Sequence, residues 1–283
     1  LVERCRKEGM PAVGVTDTGN LFGALEFSLA ATTAGIQPII GCQLWVTRNE
    51  STAATGAKRP DPDQLVLLVK DERGYRNLMR LSSRAYLETD AGETPQVDFE
   101  VLEEFGAGLI ALTGGSSGPV NRLLNEGRGS EAETYLLRLK SIFSDRLYVE
   151  IQRHGNQDEA ACEPPLLELA YKHDLPLVAT NDCYFLDAQI YEAHDALLCI
   201  AGGAYVTQEE RRRMNAEYRF KSAEEMRALF EDLPEAVDNS VVVAQRCAFF
   251  PETINPILPA FPTAEGRSEA EELRAQAEAG LHK

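Results

Sequence analysis

Several absences narrow this sequence before any motif is considered. No apolar run approaches the roughly 18 residues that span a bilayer, so no membrane partner is expected. Nothing reads as a secretory signal, and the first residue is not Met. The six cysteines (Cys5, Cys42, Cys162, Cys183, Cys199 and Cys247) contain no Cys-x-x-Cys pair, so buried, reduced thiols in a cytoplasmic protein are expected. Positive charge is in deficit: 28 Lys and Arg stand against 45 Asp and Glu, a formal net charge of −17. Such a surface repels phosphate backbones, which argues against a main nucleic-acid grip. No internal repeat is present.

What is present is an ordinary globular composition, 44% hydrophobic and 26% charged over 283 residues. That length suits one large domain or two modest ones. The organising stretch is Pro11–Gly23. Ala12–Thr16 is a run of small and β-branched residues suited to a strand buried on both faces. Asp17–Asn20 break the run with turn-forming residues, and Leu21 opens a helix to Ala34, closed by Gly35. A buried strand ending in Asp at a turn into a helix is where α/β proteins place their chemistry. Leu1–Gly9 reads as the tail of a helix, so a strand and half a helix are expected upstream.

Further strands are predicted at Pro38–Val46, Leu65–Val69, Leu109–Thr113, Leu147–Ile151 and Leu175–Thr180. Helices are predicted at Glu72–Leu87, from Pro119, at Glu131–Phe143 and within Glu159–His173, around Pro164-Pro165. Thr47–Asp63 reads as an exposed, mobile excursion, and Glu88–Gln96 as a polar loop. The alternation implies parallel strands with helical crossovers. The fold class is therefore α/β, compatible with a barrel related to the TIM type, with a doubly wound open sheet as the alternative. From Asp187 the pattern turns helical. Asp187–Ile200 is one helix. Ser222-Ala-Glu-Glu225 is a capping box opening a helix to Phe230, Pro234 starts another to about Cys247, and Ser268-Glu-Ala-Glu271 opens a last one. Phe250–Thr263, with Pro251, Pro256, Pro259 and Pro262, reads as an extended connector. The expected division is 1–186 barrel, 187–250 helical extension, and 251–283 connector and helix.

The polar residues at strand ends form one set: Asp17, Thr18, Gln43, Gln64, Glu150, Gln152, His154, Asp182 and Tyr184. In a barrel they converge on one mouth. Glu150, Gln152 and His154 alternate, so an extended chain aims all three at one face. Metal ligation needs carboxylates or imidazoles, which leaves Asp17, Glu150, His154 and Asp182, enough to hold one ion weakly. Four such groups are too few for a multinuclear centre that makes hydroxide. A polar pocket knit by hydrogen bonds is the leading reading. Gly114-Gly-Ser-Ser-Gly118 lacks the Lys of a P-loop and reads as a tight strand-to-helix turn. Arg211-Arg-Arg213 reads as a solvated helix face balanced by Glu209 and Glu210, His194-Asp195 as a hydrogen-bonded packing pair, and His173 as a cation at a helix end.

Taken together, Gly9-Met-Pro-Ala12, Val15-Thr-Asp17, Asn20-Leu21, Ala34–Gly41, Gly74–Leu78, Ala179–Asp182, Lys221-Ser222, Glu225-Met226, Leu229-Phe230, Pro234–Ala236 and Leu258–Pro262 resemble the N-terminal PHP (polymerase and histidinol phosphatase) domain of bacterial DNA polymerase III alpha subunits. The resemblance implies a distorted (β/α) barrel with a helical extension leading toward a polymerase core, where Mg and DNA would bind. It implies His at Thr18, Glu at Gln43, His at Gln64 and His at Tyr184 in metal-binding members, while Glu150 and His154 fit the pattern. The implied domain is a degenerate metal site, retaining at most one weak Zn, Mn or Mg ion at Asp17, Glu150, His154 and Asp182. It would serve as a scaffold for a proofreading exonuclease subunit and other replicase subunits. The alternative is a metal-dependent phosphoesterase or 3′–5′ exonuclease.

Overall fold

Short apolar runs and amphipathic stretches alternate as strands and helices in the computed structural model, which describes residues 1–48, 61–256, 258–263 and 266–281. Leu1–Pro251 form one unit and Glu252–Lys283 a second. The first unit runs α1 (Val2–Lys7), β1 (Ala12–Thr18), α2 (Ala24–Thr33), β2 (Gln37–Val46), β3 (Asp63–Val69), α3 (Glu72–Glu88), α4 (Phe99–Phe105) and β4 (Leu109–Leu112). It continues with α5 (Pro119–Asn125), α6 (Gly129–Phe143), β5 (Leu147–Ile151), α7 (Gln157–Lys172), β6 (Leu177–Ala179), α8 (Tyr191–Gly202), α9 (Ala223–Leu229) and α10 (Pro234–Arg246). The second unit contains α11 (Glu269–Leu281), whose first turn is capped by reciprocal bonds between Ser268 and Glu271.

The strands form one sheet in sequence order. Residues of all six strands, among them Val15, Gln43, Val66, Leu112, Glu150 and Val178, line a single cavity of about 510 Å³, so the sheet is curled into a half-barrel. This is the expected mixed α/β, barrel-like fold, with one correction. β3 runs antiparallel to both β2 and β4, while β1, β2, β4, β5 and β6 run parallel to one another. The reversal brings the start of β3, where Gln64 pairs with Trp45, to the end of the sheet at which the parallel strands finish.

Both faces of the sheet are covered, which explains its near-continuous apolar runs. Alternate residues pack outward under α3, α5, α6 and α7: Leu67, Leu109, Val149 and Leu177 belong to this larger core with Leu78, Leu123, Leu136 and Leu166. The other set, including Ile39, Leu68, Ile110, Tyr148 and Val178, lines the concave face with Val243 and Cys247. α10 is pinned there at the starts of strands: Asn239 Nδ2 donates to the Leu177 carbonyl at 2.8 Å, and Gln37 Nε2 to the Ala244 carbonyl at 2.6 Å. The concave side is thus plugged at one end and polar at the other.

Local chemistry sets several boundaries. Ser222 and Glu225 form the expected reciprocal cap on α9, with bonds of 2.8 and 3.2 Å. α7 continues through Pro164 and Pro165 because Cys162, Leu166, Leu169 and Ala170 bury its face. The interior prolines cost it amide donors. α4, whose N-cap Asp98 accepts from Val101 N at 2.9 Å, is an addition to the expected elements. Of the expected excursion Thr47–Asp63, residues 49–60 lie outside the described residues. Its last residue is not exposed. Asp63 is 1% exposed and opens β3, held by Arg122 through two bonds of 2.7 and 2.9 Å and by Arg48 at 2.9 Å. Cys183 is exposed and the other cysteines are buried, which corrects the expectation for that one thiol.

Two stability tests follow from this packing. A Cβ at Gly41 would sit 2.6 Å from the Leu67 carbonyl oxygen and 2.9 Å from Thr16 Cγ2, so Gly41→Ala is expected to destabilise the chain by about 1–3 kcal/mol in urea unfolding. Arg122→Ala strips the main partner from a buried carboxylate and is expected to cost about 3 kcal/mol in the same assay.

Candidate functional site

The polar end of the concave face is built from strand termini. Thr18 Oγ1 and Gln64 Nε2 both donate to Gln43 Oε1, at 3.1 and 2.7 Å. Glu150 Oε1 accepts from Thr180 Oγ1 at 2.5 Å and from Gln152 Nε2 at 3.2 Å. Tyr184 OH donates to Asp182 Oδ2 at 3.0 Å. These residues all line the 510 Å³ cavity except Gln64. The groups bonded to the two carboxylates are therefore neutral amides and hydroxyls.

Glu150 is 3% exposed, and its Oε2 has no hydrogen-bond partner. Burial pushes its carboxyl up to about 7, and the Asp182 charge adds to the push, while the bonds from Thr180 and Gln152 oppose it. Asp182 is also raised by burial, against the pull of the Tyr184 bond, the His154 ring, Gln43 and Arg212.

His154 does not join the mouth by strand alternation, because β5 ends at Ile151. It is 1% exposed and stacks on Tyr218, with ring centroids 4.0 Å apart. Its Nδ1 lies 2.8 Å from Glu159 Oε1, and its backbone N donates to Glu159 Oε2 at 2.6 Å. Burial alone would raise the Glu159 carboxyl, but the bonds from His154 outweigh it and hold Glu159 below the usual range. His154 Nε2 is buried without a partner. Asp17 lines the same cavity as Thr18, although strand alternation sets it on the other side of β1. Its Oδ2 lies only 3.3 Å from where a Cβ on Gly23 would stand, so it abuts the entry to α2.

Of Asp17, Glu150, His154 and Asp182, the fold brings Asp17, Glu150 and Asp182 to the lining of one cavity, with the Asp17 carboxylate reaching toward Gly23, while His154 is held by Glu159 and Tyr218. Among the described residues, three or more His, Cys, Asp or Glu side chains do not gather around one point. The donor set does not fit a multi-ion centre.

Other sequence expectations resolve differently. Arg211 is not on a helix: it reaches back to Asp195 on α8 with two bonds of 2.6 Å, both side chains nearly buried. His194 is not bonded to Asp195. It packs by the Tyr184 and Phe185 rings, and its Nδ1 has no hydrogen-bond partner. Gly114–Gly118 is the expected turn into α5, with Gly118 N bonded to the Gly115 carbonyl at 2.9 Å. His173 ends α7 with Nε2 2.6 Å from Glu133 Oε1. Thr180, Glu159, Tyr218 and Lys221 carry the site without having been singled out for it. Lys221, 6% exposed, donates to Asn181 Oδ1 at 3.1 Å beside Asp182.

The raised Glu150 makes stability depend on pH in a defined direction. The folded state binds its proton more tightly than the unfolded chain, whose carboxyl titrates near 4.5. Its contribution is fully present below 4.5 and is lost as pH rises through about 7. Glu150→Gln removes that loss, so the variant is expected to gain about 3 kcal/mol on the parent between pH 4.5 and 8 in urea titrations. A stability difference that does not change with pH would refute this assignment.

Comparison with known proteins places this geometry. A family model described as the PHP domain matches residues 1–154. The DNA polymerase III subunit alpha of Caulobacter vibrioides is 52% identical over 273 residues, covering 96% of this chain and 24% of that protein. That of Thermus aquaticus is 39% identical over 287 residues, covering 96% and 23%. That of Rickettsia bellii is 38% identical over 281 residues, covering 99% and 23%. The chain spans about a quarter of the length of the curated relatives it matches. With a family model matching more than half of its length, the chain belongs to the PHP domain family.

Proposed function

We propose that this chain is the PHP part of a replicative DNA polymerase III alpha subunit and acts there as a non-catalytic scaffold and partner-binding module. Its partners are the proofreading exonuclease subunit and other replicase subunits. DNA and Mg are handled by the polymerase core, and the setting is cytoplasmic. Residues 1–186 form the barrel, 187–250 its helical extension, and 251–283 the connector toward that core. The observation that carries the reading is the mouth itself. Thr18, Gln43, Gln64 and Tyr184 stand where charged or imidazole ligands would be needed, and three of them are bonded to one another. Neutral amides and hydroxyls supply no charge to bind or activate a metal-bound water.

One feature favours a second reading, a metal-dependent phosphoesterase or 3′–5′ exonuclease: the bare, buried His154 Nε2. The two readings separate in one set of measurements. Under the scaffold reading, the dialysed chain retains substoichiometric zinc or manganese, has no nuclease activity, and is captured by the exonuclease subunit in a pull-down. Tightly held metal, with nuclease activity lost on His154→Ala, would establish the second reading instead.

A further inference from the structure

Beneath the end of β5 two buried oxygens are bare. Asn121 Oδ1 on α5 and Glu150 Oε2 on β5 have no hydrogen-bond partner, and the two residues are 4% and 3% exposed. Both line one small void of about 10 Å³ where β5 meets α5 and α7. Leaving two acceptors dry in an interior is unfavourable, and native proteins rarely do so.

The carboxylates of the two other glutamates on this void are already engaged. Both carboxylate oxygens of Glu159 are taken by His154, at 2.8 and 2.6 Å. Both of Glu163 are taken by Arg153, at 2.5 and 2.9 Å. Two free oxygens are too few for a hard cation, which takes six or more. They equal the number of hydrogens on one water molecule, and a void of this volume is at the size one water needs.

We infer that a single internal water occupies this void and, with Glu150 ionised, donates to Asn121 Oδ1 and Glu150 Oε2, tying α5 to β5. Ser116 lines the same void. The bridge adds a link between the turn into α5 and the strand that presents Glu150 to the mouth.

The test is a crystal structure of this chain at a resolution that shows ordered waters, beside that of Asn121→Leu, which keeps the side-chain shape and removes the acceptor. One peak within hydrogen-bond distance of both oxygens in the parent, absent from the variant, is the expected result. Three results would overturn the inference: an empty void, an Asn121 amide turned so that Nδ2 bonds Glu150 directly, or a peak with anomalous signal after a thallium soak, which marks a monovalent cation. Should the variant fail to fold, the parent alone decides in solution. A nuclear Overhauser effect from a long-lived water to the Asn121 amide supports the bridge, and its absence refutes it.

Discussion

Burial of the sheet on both faces is the constraint from which the rest follows. The helices take the convex side and α10 the start of the concave side. Polar groups at the far end of the concave face must then find partners within the molecule or from solvent in the cavity. Thr18, Gln43 and Gln64 meet this by mutual hydrogen bonding among neutral groups, and Tyr184 by donating to Asp182. Two carboxyls there, Glu150 and Asp182, are raised by the same burial.

Ion pairs elsewhere do what the mouth does not. Asp63 is compensated by two arginines, Asp195 by Arg211, and Glu163 by Arg153. Removing one partner from such a pair leaves a buried charge unpaired, which is why these pairs matter more to folding than the many exposed i,i+4 bridges. Glu150 is the contrasting case: a buried carboxyl whose partners are a hydroxyl and an amide. Such a group holds its proton more tightly than an ordinary glutamate.

Much of the architecture is legible in local sequence. The β-branched run at Ala12–Thr16, the capping box at Ser222–Glu225 and the glycine-proline entry to α5 each declare an element through short-range chemistry. The direction of β3 is not local. An apolar run reads identically in either orientation, and its sense is settled only by which neighbours it pairs with. His154 illustrates the same limit at the site: its spacing from Glu150 suits an extended chain, but β5 ends three residues earlier and Glu159 captures the ring. Arg211 was read as a surface charge because its neighbours in sequence are acidic, whereas its partner Asp195 lies 16 residues away on α8.

The residue types at the mouth were determined by the sequence alone: amides, a hydroxyl and a phenol cannot act as anionic ligands in any fold, because their chemistry is intrinsic. Which carboxyls share that mouth was decided only by tertiary structure. Glu159 holds the His154 ring beyond the end of β5, and the reversal of β3 delivers Gln64 beside Gln43. Convergence depends on register and direction, and these are properties of paired strands rather than of any one segment.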